Sequence, residues 1–190
     1  MKEIEILVEV YDSIETVKNA LKGYKYIGNK KTIDEYYYDP KRKDLKPNKS
    51  NKLYKCLRVR NKDNEYTITY KDDIYEKRKW IYSDEYETKI ESIDIMKKIF
   101  DKLGLVKFIE IDNEKETYIT DKYEIVLENV KDLGLFMEVE YCTKKNVDIK
   151  MIKKEIQKFI DDLGIHVSKE LNMGKPEMYL KKHNIKIKKG

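Results

Sequence analysis

Histidine and cysteine are scarce in this chain of 190 residues, two of each, and there is one tryptophan. His166 and His183 stand apart from each other and from both cysteines, so zinc ligation and histidine-based nucleophilic catalysis have no constellation to rest on. Cys56 and Cys142 fall on expected strands without metal-ligand spacing. They read as reduced packing residues, because disulfide frameworks belong to small secreted chains. No apolar run approaches the roughly 20 residues that a membrane-spanning helix needs. The opening residues Lys2, Glu3 and Glu5 hold no apolar stretch of the signal-peptide kind, so a cytoplasmic protein with no membrane partner is expected. Charge of one sign is also missing: 41 Lys and Arg against 36 Asp and Glu leave a net charge of +5. That balance lacks the basic stripe of a nucleic-acid binder. A Walker-type glycine-rich loop is absent, so any phosphate would be held by side chains. With three prolines and seven glycines, and no linker built from them, residues 1–182 are expected to form a single domain. Residues 183–190 then form a basic tail ending in Lys186–Lys189.

One pattern occurs three times. A Glu-x-Glu strand leads to an amphipathic helix and then to a glycine: Glu3 and Glu5, the helix at 14–21, Gly23; Glu85 and Glu87, the helix at 92–103, Gly104; Glu138 and Glu140, the helix at 149–163, Gly164. Residues two apart in a strand share a face. Each pair therefore sets two carboxylates side by side, with apolar neighbours (Ile4, Ile6, Val8; Met137, Val139) on the opposite face. Further strands are read at 30–39, 53–60, 65–71, 105–111, 115–121 and 123–130, with 72–80 as a charged connector. The proline-bearing, lysine-rich segment 40–52 reads as a loop and a candidate lid. One more short helix is expected after Pro176. The total, roughly eight or nine strands and three or four helices joined by tight turns, indicates an α+β fold with a mostly antiparallel sheet.

Charge is sorted by strand. Arg58 and Arg60 share a face, as do Thr67, Thr69 and Lys71, and as do Glu124 and Glu128; Lys115 heads another strand. A plain solvent face is one reading of each strand alone. A solvent face would mix signs, however, and here the backs of nearly all strands are apolar and three amphipathic helices are available to cover them. A closed sheet built this way has a charged lumen, the inverse of a barrel filled by apolar side chains. Such a lumen is tolerable only if wet and occupied, because unpaired buried charges are costly. A polyanion and a divalent metal would satisfy it. Arginines take phosphate oxygens bidentately, and carboxylates hold Mg²⁺ or Mn²⁺.

At these residues the chain resembles the CYTH family, the triphosphate tunnel metalloenzymes. The matching pieces are Glu3-x-Glu5, the strand around Asp34, Tyr36, Tyr37 and Tyr38, Leu57-Arg58-Val59-Arg60, Thr67 to Lys71, and Glu85-x-Glu87. They continue with Lys115 before Tyr118, Glu128 before Val130, and Leu133-Gly134-Leu135-Phe136-Met137-Glu138-Val139-Glu140. The tyrosine-rich strand and the last segment are most similar to the class IV adenylyl cyclase branch. The resemblance implies a closed eight-stranded antiparallel tunnel with a polar lumen and helices outside. It implies that Arg58, Arg60, Lys71 and Lys115 bind phosphates, with Tyr36 placed to touch a base. It implies that Glu3, Glu5, Glu85, Glu87, Glu128, Glu138 and Glu140 hold Mg²⁺ or Mn²⁺, and that Glu138, Glu140 and Arg58 serve the chemistry. The implied activity is conversion of ATP to cyclic AMP and pyrophosphate; triphosphate hydrolysis and triphosphate binding without turnover are the alternatives. The family signature is Glu-x-Glu-x-Lys, and here its lysine is replaced by Leu7, which still points to the acidic face. The partner is a triphosphate small molecule such as ATP rather than nucleic acid, and the sequence leaves a homodimer open.

Overall fold

The computed structural model describes residues 2–77 and 79–185, so the basic run Lys186–Lys189 lies outside the described residues. Eight strands form the sheet: β1 (Lys2–Glu9), β2 (Lys25–Tyr38), β3 (Lys55–Lys62), β4 (Glu65–Glu76), β5 (Lys79–Lys89), β6 (Val106–Ile119), β7 (Glu124–Val130) and β8 (Gly134–Thr143). Four helices accompany them: α1 (Ile14–Leu21), α2 (Ile93–Lys102), α3 (Ile149–Asp162) and α4 (Lys175–Lys182). The strands close into an antiparallel barrel in the order β1-β5-β4-β3-β2-β6-β7-β8. Closure between β1 and β5 rests on a short seam, Lys2 opposite Asp84 and Glu3 opposite Ser83. None of the described helices is long and apolar enough to cross a membrane.

Local signals account for the helix ends. Ser13, Ser92 and Asp148 cap α1, α2 and α3 by accepting from the backbone N–H groups of Thr16, Ile95 and Met151. Gly104 and Gly164 adopt φ of +79° and +67°, the left-handed conformation that ends a helix at little cost for glycine. Gly23 follows α1 without it.

The outer faces are apolar, and helices cover them. Ile4, Ile6 and Val8 of β1, Ile125 and Leu127 of β7, and Met137 and Val139 of β8 pack under Val17 and Leu21 of α1 and Ile152, Ile156 and Ile160 of α3. Tyr37 and Val59 pack under Phe100 of α2. The inner face is charged over most of its length but apolar at one end. There Leu7, Tyr36, Ile109, Ile111, Val130 and Phe136, all on inward positions, pack with Leu180 of α4. This helix closes that end of the barrel.

Two expectations need correction. The strands read at 105–111 and 115–121 are one strand, β6, paired continuously with β2 and, from Asn113, with β7. The stretch 72–80 is no connector but the arms of the β4–β5 hairpin, with Asp72 opposite Asp84. Both misreadings have one cause: polar residues in mid-strand resemble a turn, whereas here they sit on both faces of long strands, Asn113 and Asp73 inward and Asp112 and Asp72 outward. The segment 40–52 carries a short 3-10 turn with Leu45 buried. It is tied down at its end, where Leu53 N–H donates to Glu177 of α4 at 2.7 Å.

Candidate functional site: a charged tunnel

The inward rows of the barrel surround a cavity of about 210 Å³. On its wall are Glu3 and Glu5 from β1, Arg58 and Arg60 from β3, Lys71 from β4, Glu85 and Glu87 from β5, Lys115 from β6, and Glu138 and Glu140 from β8. Period-two alternation on separate strands brings these side chains to one hollow. Tyr36 lines it too, and burial pushes its hydroxyl well above the usual range. Glu128 is different. It is fully buried behind the wall, where its Oε1 accepts from Lys115 at 2.9 Å and from Lys175 at 2.7 Å.

The two arginines have different surroundings. Register sets Asp34 of β2 opposite Arg60. The carboxylate receives both Nε and Nη2 of Arg60, at 2.6 and 2.7 Å. Burial would raise Asp34, but Arg60 and Arg58 overcome that and hold it well below the ordinary carboxylate range. Arg58 is less committed. Its Nη2 donates to Thr69 at 3.1 Å and to Glu87 at 3.4 Å, and its buried Nε has no hydrogen-bond partner. A buried guanidinium N–H without an acceptor is expensive unless a ligand supplies one.

Besides Lys115, the ammonium groups of Lys71 and Lys175 stand among the carboxylates. Lys71 donates to Glu3 at 2.5 Å and lies 3.4 Å from Glu5 and 3.7 Å from Glu85. Lys175, the first residue of α4, bridges Glu128 and Glu138 at 2.7 Å each. These contacts split the carboxylates into two sets. Burial pushes Glu3 and Glu138 up, but Lys71 and Lys175, with hydrogen bonds, hold them well below their ordinary values. Glu5 and Glu140 are driven up by burial and by the negative charges around them.

The reason lies in the register. Glu5 is directly opposite Glu140, and Glu140 is directly opposite Glu124, so three carboxylates form one rung across β1, β8 and β7. Like charges directly opposite destabilise a sheet. Among the described residues no basic group forms an ion pair with Glu140 or Glu124. Ligand atoms of Glu3, Glu140 and Cys142 lie within 4.8 Å of one another. The carboxylates of Glu3 and Glu140 are the oxygen donors that a hard divalent ion takes, with the softer Cys142 thiol beside them, so the carboxylates present fit a divalent metal.

The CYTH domain model matches residues 1–171. The chain belongs to the CYTH domain family. A candidate adenylate cyclase of Methanocaldococcus jannaschii is 31% identical over 176 residues, which cover 90% of this chain and 93% of that protein. A Pyrococcus horikoshii protein of solved structure superposes with a TM-score of 0.77 at 22% identity, over 94% of this chain and 99% of that one. A candidate adenylyl cyclase from Hippeastrum, described as having a dominant triphosphatase activity, superposes at 0.63 and 14% identity over 98% of both chains. At those two identities the likeness is one of fold.

Within this CYTH barrel, Leu7 lies opposite Glu138 in the β1–β8 register. Its side chain is buried among Tyr36, Phe136 and Leu180. Sequence reasoning assigned no role to Asp34, Thr69, Asp73, Lys175 or Glu177. Asp34 could have been found, since it shares a face with Tyr36 two residues on. Lys175 and Glu177 carry no periodic signal. Cys142, read as a packing residue, is exposed, and Cys56 is half-buried; both are free thiols.

Glu177 fastens the CYTH barrel's closing helix and titrates near neutrality. Its carboxyl accepts from Leu53 N–H at 2.7 Å and from Gly174 N–H at 3.1 Å. Burial pushes it from an ordinary 4.5 up to about 7, against the pull of those two N–H groups. A raised carboxyl is one whose proton the folded state retains. Its stabilising contribution is therefore complete below pH 4.5 and is lost as pH rises through about 7. Urea midpoints should fall across that window, and Glu177→Gln should flatten the fall. An equal slope in the variant would show that other groups govern it.

Proposed function

We propose that this chain is a metal-dependent enzyme acting on a nucleoside triphosphate, with ATP converted to cyclic AMP and pyrophosphate. The observation that carries the reading is convergence: Arg58, Lys71 and Lys115 share one cavity with Glu3, Glu5, Glu138 and Glu140. The cyclase form is favoured by the archaeal relative's description and its extent of match. The cavity, about 210 Å³, is smaller than the roughly 300–1,000 Å³ of small-molecule sites, which suits a phosphate chain inside and a nucleoside at the mouth. Two free cysteines accord with the reducing cytoplasm.

Mg²⁺ or Mn²⁺ would be held by Glu3, Glu5 and Glu140, with Glu138. When bound, the ion supplies charge neutralisation on phosphate oxygens and lowers the pKa of a coordinated hydroxyl. The protein's own groups do the rest. Arg58 offers its unpartnered Nε–H to a phosphate oxygen and, being positioned in advance, stabilises charge that builds as the bond to the leaving pyrophosphate breaks. Lys71 and Lys115 hold the remaining phosphates as point charges. Arg60, forked onto Asp34 through its Nε and Nη2, keeps the β2–β3 wall rigid, adds positive field to the tunnel and leaves Nη1 for a phosphate oxygen. Walls of barrel strands restrict the triphosphate to an in-line arrangement, so the 3′-hydroxyl can meet the α-phosphorus.

Hydrolysis of the terminal phosphate is the second reading, favoured by the activity described for the Hippeastrum relative. The same cradle serves both, and only the phosphorus facing the nucleophile differs. Incubation with ATP and Mn²⁺ should yield cyclic AMP and pyrophosphate. ADP and phosphate would establish the hydrolase instead. Thermal stabilisation by tripolyphosphate with no product would leave a binding protein.

A further inference from the structure

Among the described residues, Lys175 is the one cation on the cavity wall that does not come from a barrel strand. It opens α4 and reaches the cavity from the closed end, where its ammonium lies 2.7 Å from Glu138 and 2.7 Å from Glu128. Glu138 is on the cavity wall, two residues from Glu140 and the unpaired rung. With Lys175 in place, Glu138 is already neutralised and one of its oxygens is occupied. A divalent ion using that carboxylate must compete with the ammonium for it.

Lys71 and Lys175 differ in how easily they can yield. Lys71 belongs to β4 and is fixed by pairing on both sides, opposite Cys56 and Glu85. Lys175 follows Gly174, and the segment 168–174 before it forms neither helix nor strand. Its helix is held by Leu180, with Met178 and Tyr179 beside it, in the apolar end of the barrel and by Glu177 on Leu53. The segment before it is tied to β1 where Leu171 N–H donates to the Leu7 carbonyl at 2.8 Å. Lys175 stands at the first position of the helix, ahead of the helix's own anchors. Leu7 completes the arrangement. As an apolar side chain opposite Glu138, it packs against Leu180 and leaves the space beside Glu138 to a cation brought in from α4.

Resting on the metal-dependent reading above, we propose that Lys175 is a resident counter-ion of Glu138 that a divalent cation displaces, so that metal uptake releases the first turn of α4 from the tunnel. Glu128 keeps a partner throughout, because Lys115 also donates to it at 2.9 Å. The exchange explains how a cavity rich in carboxylates stays folded before the ion arrives. It also makes α4 the element that registers metal occupancy.

The full-length protein, without nucleotide, is titrated with Mn²⁺ and pulsed with an amine-reactive reagent, and the modified lysines are read by mass spectrometry. Lys175 should be nearly unreactive without the ion and react about tenfold faster when Mn²⁺ is saturating, as a side chain gains solvent on leaving a buried pair. No Mn²⁺ uptake, or uptake with Lys175 labelling unchanged, overturns the proposal. A second measurement uses Lys175→Met, which keeps the length and removes the charge. By calorimetry it should bind Mn²⁺ about tenfold more tightly than the wild type, since the competing cation is gone. Equal or weaker binding by the folded variant contradicts the exchange. Titration of the wild type with tripolyphosphate in saturating Mn²⁺ separates this from the functional reading: labelling that rises with Mn²⁺ in a protein that binds no tripolyphosphate supports the exchange and removes the triphosphate enzyme.

Discussion

Arg60→Ala should lower stability by about 3–5 kcal/mol, because it leaves the buried Asp34 carboxylate without its main partner. That is a large part of the roughly 5–15 kcal/mol by which folded domains exceed their unfolded chains. The remaining cation, Arg58, is 3.9 Å from Asp34 and cannot replace two hydrogen bonds. Arg60→Lys should recover only part of the loss, since an ammonium is a point charge and not a planar fork. Arg58→Ala is the contrasting variant. It spares the Asp34 pair, so its urea midpoint should change little while tripolyphosphate affinity falls by about 100-fold, the loss of charge-assisted hydrogen bonds to phosphate. Equal midpoints for Arg60→Ala and the wild type would mean that Asp34 is solvated in some other way. The two arginines would then have to be treated as equivalent.

Glu140→Gln should separate stability from turnover in the opposite sense. Glu140 is in the middle of the rung formed with Glu5 and Glu124, and burial and neighbouring carboxylates push it well above the ordinary range. A folded-state pKa raised in this way means that the neutral form is favoured. Stability is therefore lost as pH rises through the folded pKa, and the amide removes that loss. At neutral pH the metal-free variant should gain about 1 kcal/mol or more in urea denaturation, as one like-charged contact pair is relieved. Turnover with Mn²⁺ and ATP should fall at least about 100-fold, because several kcal/mol of charge stabilisation depend on the ion's ligands. Glu138→Gln should behave differently. It removes the charge that pairs with Lys175, leaving only a neutral acceptor, so it should destabilise as well as inactivate.

The faces of the strands were legible because they follow a period of two residues. Glu3 with Glu5, Arg58 with Arg60 and Glu138 with Glu140 all point inward as the spacing requires. The covering helices were legible for the same kind of reason, with Ile152, Ile156 and Ile160 on one face of α3. What the spacing could not carry was register. The different surroundings of Arg58 and Arg60 depend on Asp34 lying opposite residue 60, and the crowded rung depends on which glutamates meet across β1, β8 and β7. Depth was illegible too. Glu128 shares the inward face with Glu124, but it stands behind Lys115 and Lys175 rather than on the cavity wall. Polar mid-strand residues such as Asn113 imitated a turn and divided β6 into two. Lys175 was the hardest to foresee, because it belongs to a short helix near the end of the chain and acts across 37 residues of sequence on Glu138.

The central claim is that carboxylates and phosphate-binding cations share one enclosed site. Anomalous diffraction from crystals grown with Mn²⁺ and a non-hydrolysable ATP analogue tests it most directly. The account predicts a manganese peak inside the barrel, about 2.0–2.6 Å from carboxylate oxygens of Glu3, Glu5, Glu138 or Glu140, with phosphates against Arg58. Manganese and phosphates on the outer surface, with the tunnel filled only by water, would contradict it.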